Sequence, residues 1–150
     1  MASLTIKTCL FVAEAQSISG IRHRVFGQEQ GIDPALDWDG KDSEAVHVLA
    51  SLDRQPVGVA RLREIGPRRL KLERLAVLPD YRQQGIGSEL VYTAIAYGRQ
   101  QGYVEIVLHA QSPTVPFYDR LGFHPVGEIF HEAGLEHQAM SLHLVSDTSP

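Results

Sequence analysis

The chain opens on an alternating run, Leu4-Thr5-Ile6-Lys7-Thr8, whose period of two predicts a first strand. Ile18, Ile21 and Val25 then recur at helical spacing and predict a helix from about Ala15 to Gln28. Gly31 to Ser43 is rich in Gly, Pro and acidic residues and reads as a loop. Val46–Leu52 and Val57–Arg63 read as strands of a hairpin turned through Asp53-Arg54-Gln55-Pro56. The Ile65-Gly66-Pro67 turn leads into a strand over Leu70–Val77. Ser88–Gln100 places Leu90, Ala94 and Tyr97 on one helical face. Beyond it the pattern predicts a buried strand over Tyr103–His109, a short helix over Thr114–Leu121, a strand over Val126–Phe130 and a final alternating strand over Gln138–Leu144. Hairpin strands followed by strand, helix and strand give the α/β class: a mixed sheet with helices on both faces. A chain of 150 residues suits a single domain, here residues 1–145, with Ser146–Pro150 as a short frayed tail.

The junction between the strand at Leu72–Val77 and the next helix carries the clearest chemistry. It reads Arg82-Gln83-Gln84-Gly85-Ile86-Gly87. The first N–H groups of a helix lack internal partners, and the helix dipole places partial positive charge there. Gly85 and Gly87 let a ligand approach the backbone with no Cβ in the way. A phosphate or diphosphate is the expected guest. A Walker loop is excluded because no Lys follows the second glycine, and the dinucleotide fingerprint lacks its third glycine, position 90 being Leu. What remains is Arg/Gln-x-x-Gly-x-Gly. An ordinary strand-to-helix connection is the plain alternative.

Further along comes Ser112-Pro113-Thr114-Val115-Pro116-Phe117-Tyr118-Asp119-Arg120-Leu121-Gly122-Phe123. The loop resembles the pyrophosphate loop of the GNAT superfamily of acyl-CoA N-acyltransferases, and Phe-Tyr-x-x-Leu-Gly-Phe resembles its second hallmark, a helix that carries a Tyr toward the CoA sulfur. The resemblance runs from about Ile18 to Leu144. Val25-Phe26-Gly27-Gln28-Glu29-Gln30-Gly31, Asp37-Trp38-Asp39-Gly40-Lys41-Asp42, His109-Ala110-Gln111 and Glu132-Ala133-Gly134-Leu135-Glu136-His137 are similar to the small bacterial ElaA/YjcF-like branch. Gln111 stands where many members carry Asn.

The resemblance implies a GNAT-like fold with a central, mostly antiparallel sheet, and acetyl transfer from acetyl-CoA to a primary amine by direct attack. The cofactor site it implies comprises Arg82, Gln83, Gln84, Gly85, Ile86, Gly87 and Ser88 at the diphosphate, and Leu75, Ala76 and Val77 as a strand edge for the pantetheine arm and the oxyanion. Gln111 and Tyr118 complete it. Tyr118 is the candidate general acid for the departing thiolate; the alternative is a packed helix aromatic. Glu73 is a candidate base; the alternative is an ion pair to Arg61 or Arg63. Glu29 is a candidate to bind or deprotonate the amine; the alternative is a solvated helix end. Glu132 and His137 precede the last strand and could close the pocket, with His109 a weaker candidate.

Seven of the 14 Lys and Arg residues fall between Arg61 and Arg82, a local basic zone that suits a polyanionic cofactor, although Arg68 and Arg69 read as turn surface. Net charge of -4 argues against nucleic acid as a partner. No metal is expected: His124, His131, His137 and His143 lack the close spacing of a zinc site, and the Asp37–Asp42 run lacks the closing Glu of a calcium loop. That run reads instead as a turn or a lid over the acceptor. Cys9 is the only cysteine, no apolar run approaches a membrane span, and no signal peptide is evident, so a cytoplasmic enzyme is expected. The acceptor is a small-molecule or polypeptide amine, and the acidic loops around it hint at a cationic, polyamine-like one. The C-terminal strands could form a homodimer edge. The competing reading is an acyl-CoA-binding sensor without catalysis.

Overall fold

A computed structural model describes residues 2–145. The tail expected at Ser146–Pro150 lies outside the described residues. Alternating positions form β1 (Leu4–Leu10), β2 (Val46–Leu52), β3 (Gln55–Gly66), β4 (Arg69–Val77), β5 (Glu105–Gln111), β6 (His124–Pro125), β7 (Phe130–Glu132) and β8 (Leu135–His143). They make one sheet in the order β1-β2-β3-β4-β5-β8-β6, with β7 also on β8. All pairs are antiparallel except β4 with β5. Among the described residues, no helix is long and apolar enough to cross a membrane.

The hairpin between β2 and β3 turns on Asp53 and Arg54 alone, both at positive φ (49° and 73°), so Gln55 and Pro56 already belong to β3. The expected loop at Gly31–Ser43 contains a helical turn, α2 (Pro34–Asp37). Asp33 caps it by accepting from the Ala35 N–H, and Pro34 opens it, a start signal present in the sequence. No strand spans Val126–Phe130. Gly127 sits at φ +73°, and this left-handed residue separates β6 from β7.

Helices cover the two faces. On one, α3 (Ile86–Gln100) buries Leu90, Val91 and Ala94 against Val48, Ala60, Leu62, Leu70 and Leu72. On the other, α1 (Ala15–Arg22) and the turn of π-helix that continues it over His23–Glu29 pack Ile18, Ile21, Val25 and Phe26 against Leu49, Val59 and Ala76. The predicted helix thus has nearly its expected length, but its second half is wound with i to i−5 bonds such as Gln30 N–H to the Val25 carbonyl.

One irregularity positions everything that follows. In β4, Glu73 pairs with Arg61 but Ala76 pairs with Val59, so three steps on β4 face two on β3. The extra residue is a β-bulge, and Arg74 within it stands at φ +55°. Past a bulge the side-chain alternation slips by one. Leu70 and Leu72 face α3 before it; Leu75 and Val77 pack on that same face after it, while Ala76 turns to α1.

Candidate active site

The parallel pairing of β4 and β5 stops at Leu72 and Leu108, immediately before the bulge. A bulged strand bends, and from there β4 (to Val77) and β5 (to Gln111) run on unpaired with each other. A cavity of about 830 Å³ occupies the opening. It runs from the start of α3, past the tip of α4 (Val115–Arg120), to the loop holding α2. Leu75, Ala76 and Val77 line it on one side, and Leu108, Ala110 and Gln111 on the other.

At one end, the turn before α3 supplies donors. Gln83 and Gly85 both take left-handed φ, 63° and 81°, and no side chain caps the helix. Among the described residues, none of the N–H groups from Gln83 to Ser88 finds an acceptor in the chain, and the first bond of the helix is Glu89 N–H to the Gly85 carbonyl. Unpaired N–H groups at a helix start in alternating left-handed turns form an anion cradle. Gln83, Gly85, Ile86, Gly87 and Ser88 line the cavity; Gln84 does not. A Cβ on Gly87 would come 3.5 Å from the Phe117 ring, so Phe117 forms part of the groove wall.

Arg82 lines the cavity, but its guanidinium is engaged. It donates to both Glu29 oxygens at 2.7 and 2.6 Å and to the Val77 carbonyl at 2.9 Å. The hydrogen bond to Arg82 pulls the Glu29 pKa below its ordinary value. Glu29 does not line the cavity, and its carboxylate is spent on this pair.

Tyr118 sits at the centre, 8% exposed, with its ring edge-on to Phe117 and Phe123 at 5.0 and 5.9 Å. Its hydroxyl makes no hydrogen bond within the described chain, and the residue lines the cavity. Burial pushes the phenol pKa well above its usual range. A phenol is protonated at neutral pH even at its ordinary value, and burial makes it a weaker acid.

Glu73 also lines the cavity, and its carboxylate is surrounded by cations. Arg61 Nε and Nη2 reach Oε2 at 2.9 and 2.8 Å, Arg63 spans both oxygens at 3.2 and 3.0 Å, and Lys71 stands 3.4 Å away. Burial raises its pKa, but the bond from Arg63 and the charges of Arg61 and Lys71 outweigh it and lower the pKa to about 2. A carboxylate this acidic is a poor proton acceptor at neutral pH; the ion pair, not the base, is the arrangement this chain makes. Glu73→Gln is expected to destabilise the protein by about 3–5 kcal/mol in chemical denaturation, because Arg61, fully buried, loses a charge partner. The ordinary pKa of 4.5 lies above the folded one. The stability contributed by ionised Glu73, about 3 kcal/mol, is therefore complete above pH 4.5 and drains away as pH falls toward 2. In the Gln variant that part of the acid sensitivity should vanish.

The Asp37–Asp42 run is strapped to the sheet. Arg22, fully buried, donates to Asp37 and Asp42, and Trp38 covers its guanidinium at 4.0 Å. Arg61 holds both oxygens of Asp39 at 2.8 Å. Opposite the run, Glu132 meets His109 Nδ1 at 3.2 Å. His137 is buried against Phe130 and lines the cavity. Its Nδ1 lies 2.8 Å from the Leu135 carbonyl. A carbonyl can only accept, so Nδ1 is the donor of this bond. Gln111 donates to Gln30 at 2.9 Å, bridging β5 to the end of the π-turn. Gln30 was not singled out in the sequence, where an isolated polar residue at a helix end carries no signal.

Comparisons with known proteins bear on the family and the fold. Residues 14–144 match the family model of the acetyltransferase (GNAT) domain. YyaT of Bacillus subtilis, an uncharacterised protein, is 31% identical over 141 residues, covering 92% of this chain and 95% of its own. YjcF of the same organism, named an uncharacterised N-acetyltransferase, is 31% identical over 121 residues, covering 80% and 86%. The crystal structure of Escherichia coli ElaA superposes with a TM-score of 0.80 at 25% identity, covering 94% of this chain and 99% of its own.

Proposed function

From the premise that this chain belongs to the GNAT acetyltransferase family and is an acyl-CoA-dependent acyltransferase, we propose that it moves an acetyl group from acetyl-CoA to a primary amine. One observation carries this reading: the unpaired N–H run at Gln83–Ser88 and the buried, protonated Tyr118 open onto the same cavity. Acetyl-CoA supplies an activated acyl thioester there.

The chain's own groups take the following parts. The N–H groups from Gln83 to Ser88 hold the diphosphate, with Gly85 and Gly87 leaving the approach clear. Leu75, Ala76 and Val77 present the strand edge, and an N–H of that edge steadies the thioester oxygen. Tyr118 delivers its proton to the departing sulfur. His137, which lines the cavity with Nδ1 engaged by the Leu135 carbonyl, accepts through Nε2 the proton that the amine must lose. This role falls to His137 because Glu73 is held ionised by three cations and Glu29 lies off the cavity, paired to Arg82. Both carboxylates are then positioning residues, Glu73 for the β3–β4 face and Glu29 for Arg82.

The test is release of free thiol from acetyl-CoA by the purified protein with a panel of amines. Thiol release that depends on an amine, with an acetylated amine identified by mass, is the expected result. Micromolar binding of CoA with no amine-dependent thiol from any amine would instead make the protein a binding module.

A further inference from the structure

The acidic residues of the Asp37–Asp42 loop suggest a cationic acceptor when only the sequence is read. In the folded chain they are already neutralised. Asp39 gives both oxygens to Arg61, Asp42 is shared by Arg22 and Arg61, and Asp37 is held by Arg22 and Arg74. Arg22 and Arg61 are fully buried beneath the loop, so these carboxylates have partners that a ligand cannot displace without unpacking the fold.

What the sheet leaves over is positive. Arg63 and Lys71 are directly opposite each other on β3 and β4, and both line the cavity with side chains 16% and 18% exposed. Like charges directly opposite on a sheet repel. Glu73 is the one carboxylate between them, and Arg61 claims it as well. Arg63 spends Nε and Nη2 on Glu73 and keeps Nη1 without a hydrogen bond in the described chain; Lys71 has only its 3.4 Å contact. Lys41, on the loop across the cavity, makes no ion pair among the described residues. The other charges lining the cavity include Arg74, spent on Asp37 and Asp39, the Glu132–His109 pair, and Arg120, while the Arg69–Glu105 pair lies beside Arg63 and Lys71 in an adjoining depression.

We propose that the acceptor amine carries an anionic group, a carboxylate or a phosphate, held by Arg63 and Lys71 with Lys41 closing from the loop. This rests on the acetyl-transfer reading above and names its substrate class. A guanidinium with a free Nη and an adjacent ammonium suit either oxyanion. The bound anion supplies the negative charge that Glu73 alone cannot, and it does so at the acceptor end of the cavity, away from the diphosphate cradle.

The experiment compares kcat/KM within matched pairs, glutamate against glutamine and glucosamine 6-phosphate against glucosamine, with spermidine as the cationic arm. At least one acid is expected to exceed its neutral partner by about tenfold or more, and Lys71→Gln should cut that preference about tenfold. Which pair responds tells carboxylate from phosphate. A preference for glutamine, glucosamine or spermidine, or an acid preference that survives both Lys71→Gln and Arg63→Gln, overturns the inference and leaves acetyl transfer standing. If no amine yields thiol, the transfer reading fails, and the anion site is read separately. With CoA saturating so that the cradle is filled, glutamate or glucosamine 6-phosphate should raise the Tm of the parent protein and not of Lys71→Gln. No shift in the parent protein sinks the anion site.

Discussion

Tyr118→Phe is expected to lower kcat by about 10²–10⁴-fold while leaving CoA affinity close to that of the parent. The substitution removes one oxygen and keeps the ring. Its edge contacts with Phe117 and Phe123 survive, so the tip of α4 keeps its shape. The hydroxyl has no hydrogen bond within the described chain to lose, and its removal should cost little stability. What disappears is the one phenolic proton that Tyr118 brings to the cavity. Steady-state thiol release and a direct CoA titration separate the outcomes. A variant with full turnover would reduce Tyr118 to packing, and one with weakened CoA binding would make it a wall of the cofactor groove.

Gly85→Val is expected to abolish measurable CoA binding, a loss of more than about a hundredfold in affinity. Gly85 stands at φ +81°, where a β-branched residue is strained by about 1–2 kcal/mol. A Cβ there meets no atom of the protein within 4 Å, so the free chain accommodates it in open space at the cavity mouth. The variant should therefore fold, with a modest fall in Tm, and fail as a cradle. Its strain also disturbs the left-handed pair with Gln83 that aligns the N–H run. Calorimetric titration with CoA is the measurement, with a thermal melt as the control for folding. Parent-like CoA affinity in a folded Gly85→Val protein would place the diphosphate elsewhere.

Much of this was legible before folding. Alternation gave the strands, and the glycine turn with its following apolar period gave the start of α3 to within two residues, Ile86 against the expected Ser88. These signals are local, which is why they can be read. The bulge was not, because Leu70–Val77 alternates acceptably in either register, and only pairing with β3 reveals the extra residue at Arg74. The opening between β4 and β5 is implied by the family resemblance, but no residue pattern shows it directly. The π-turn was hidden for a similar reason, since its apolar residues satisfy ordinary helical spacing. Arg22 and Arg61 leave a trace in the sequence. Arg22 falls on the stripe of Ile18 and Val25, and Arg61 on the strand face of Val59, so each is a charge on an inward series. Such a charge must be paired, and the acidic loop at Asp37–Asp42 supplies the partners. Read that way, the loop's acidity belongs to the core rather than to the acceptor.

The single surplus residue at Arg74 sorts the molecule's tasks. The groove begins where β4 carries one residue more than the stretch of β3 it pairs with, between Glu73 and Ala76. Rim positions outside the ion pairs of Arg22 and Arg61, such as Lys41 and Leu36, are thereby free of a scaffolding duty and can be exchanged to suit a new acceptor, while the cleft itself is inherited intact. A scaffold of this kind invites redesign from the acceptor rim inward, with the β4 insertion left untouched.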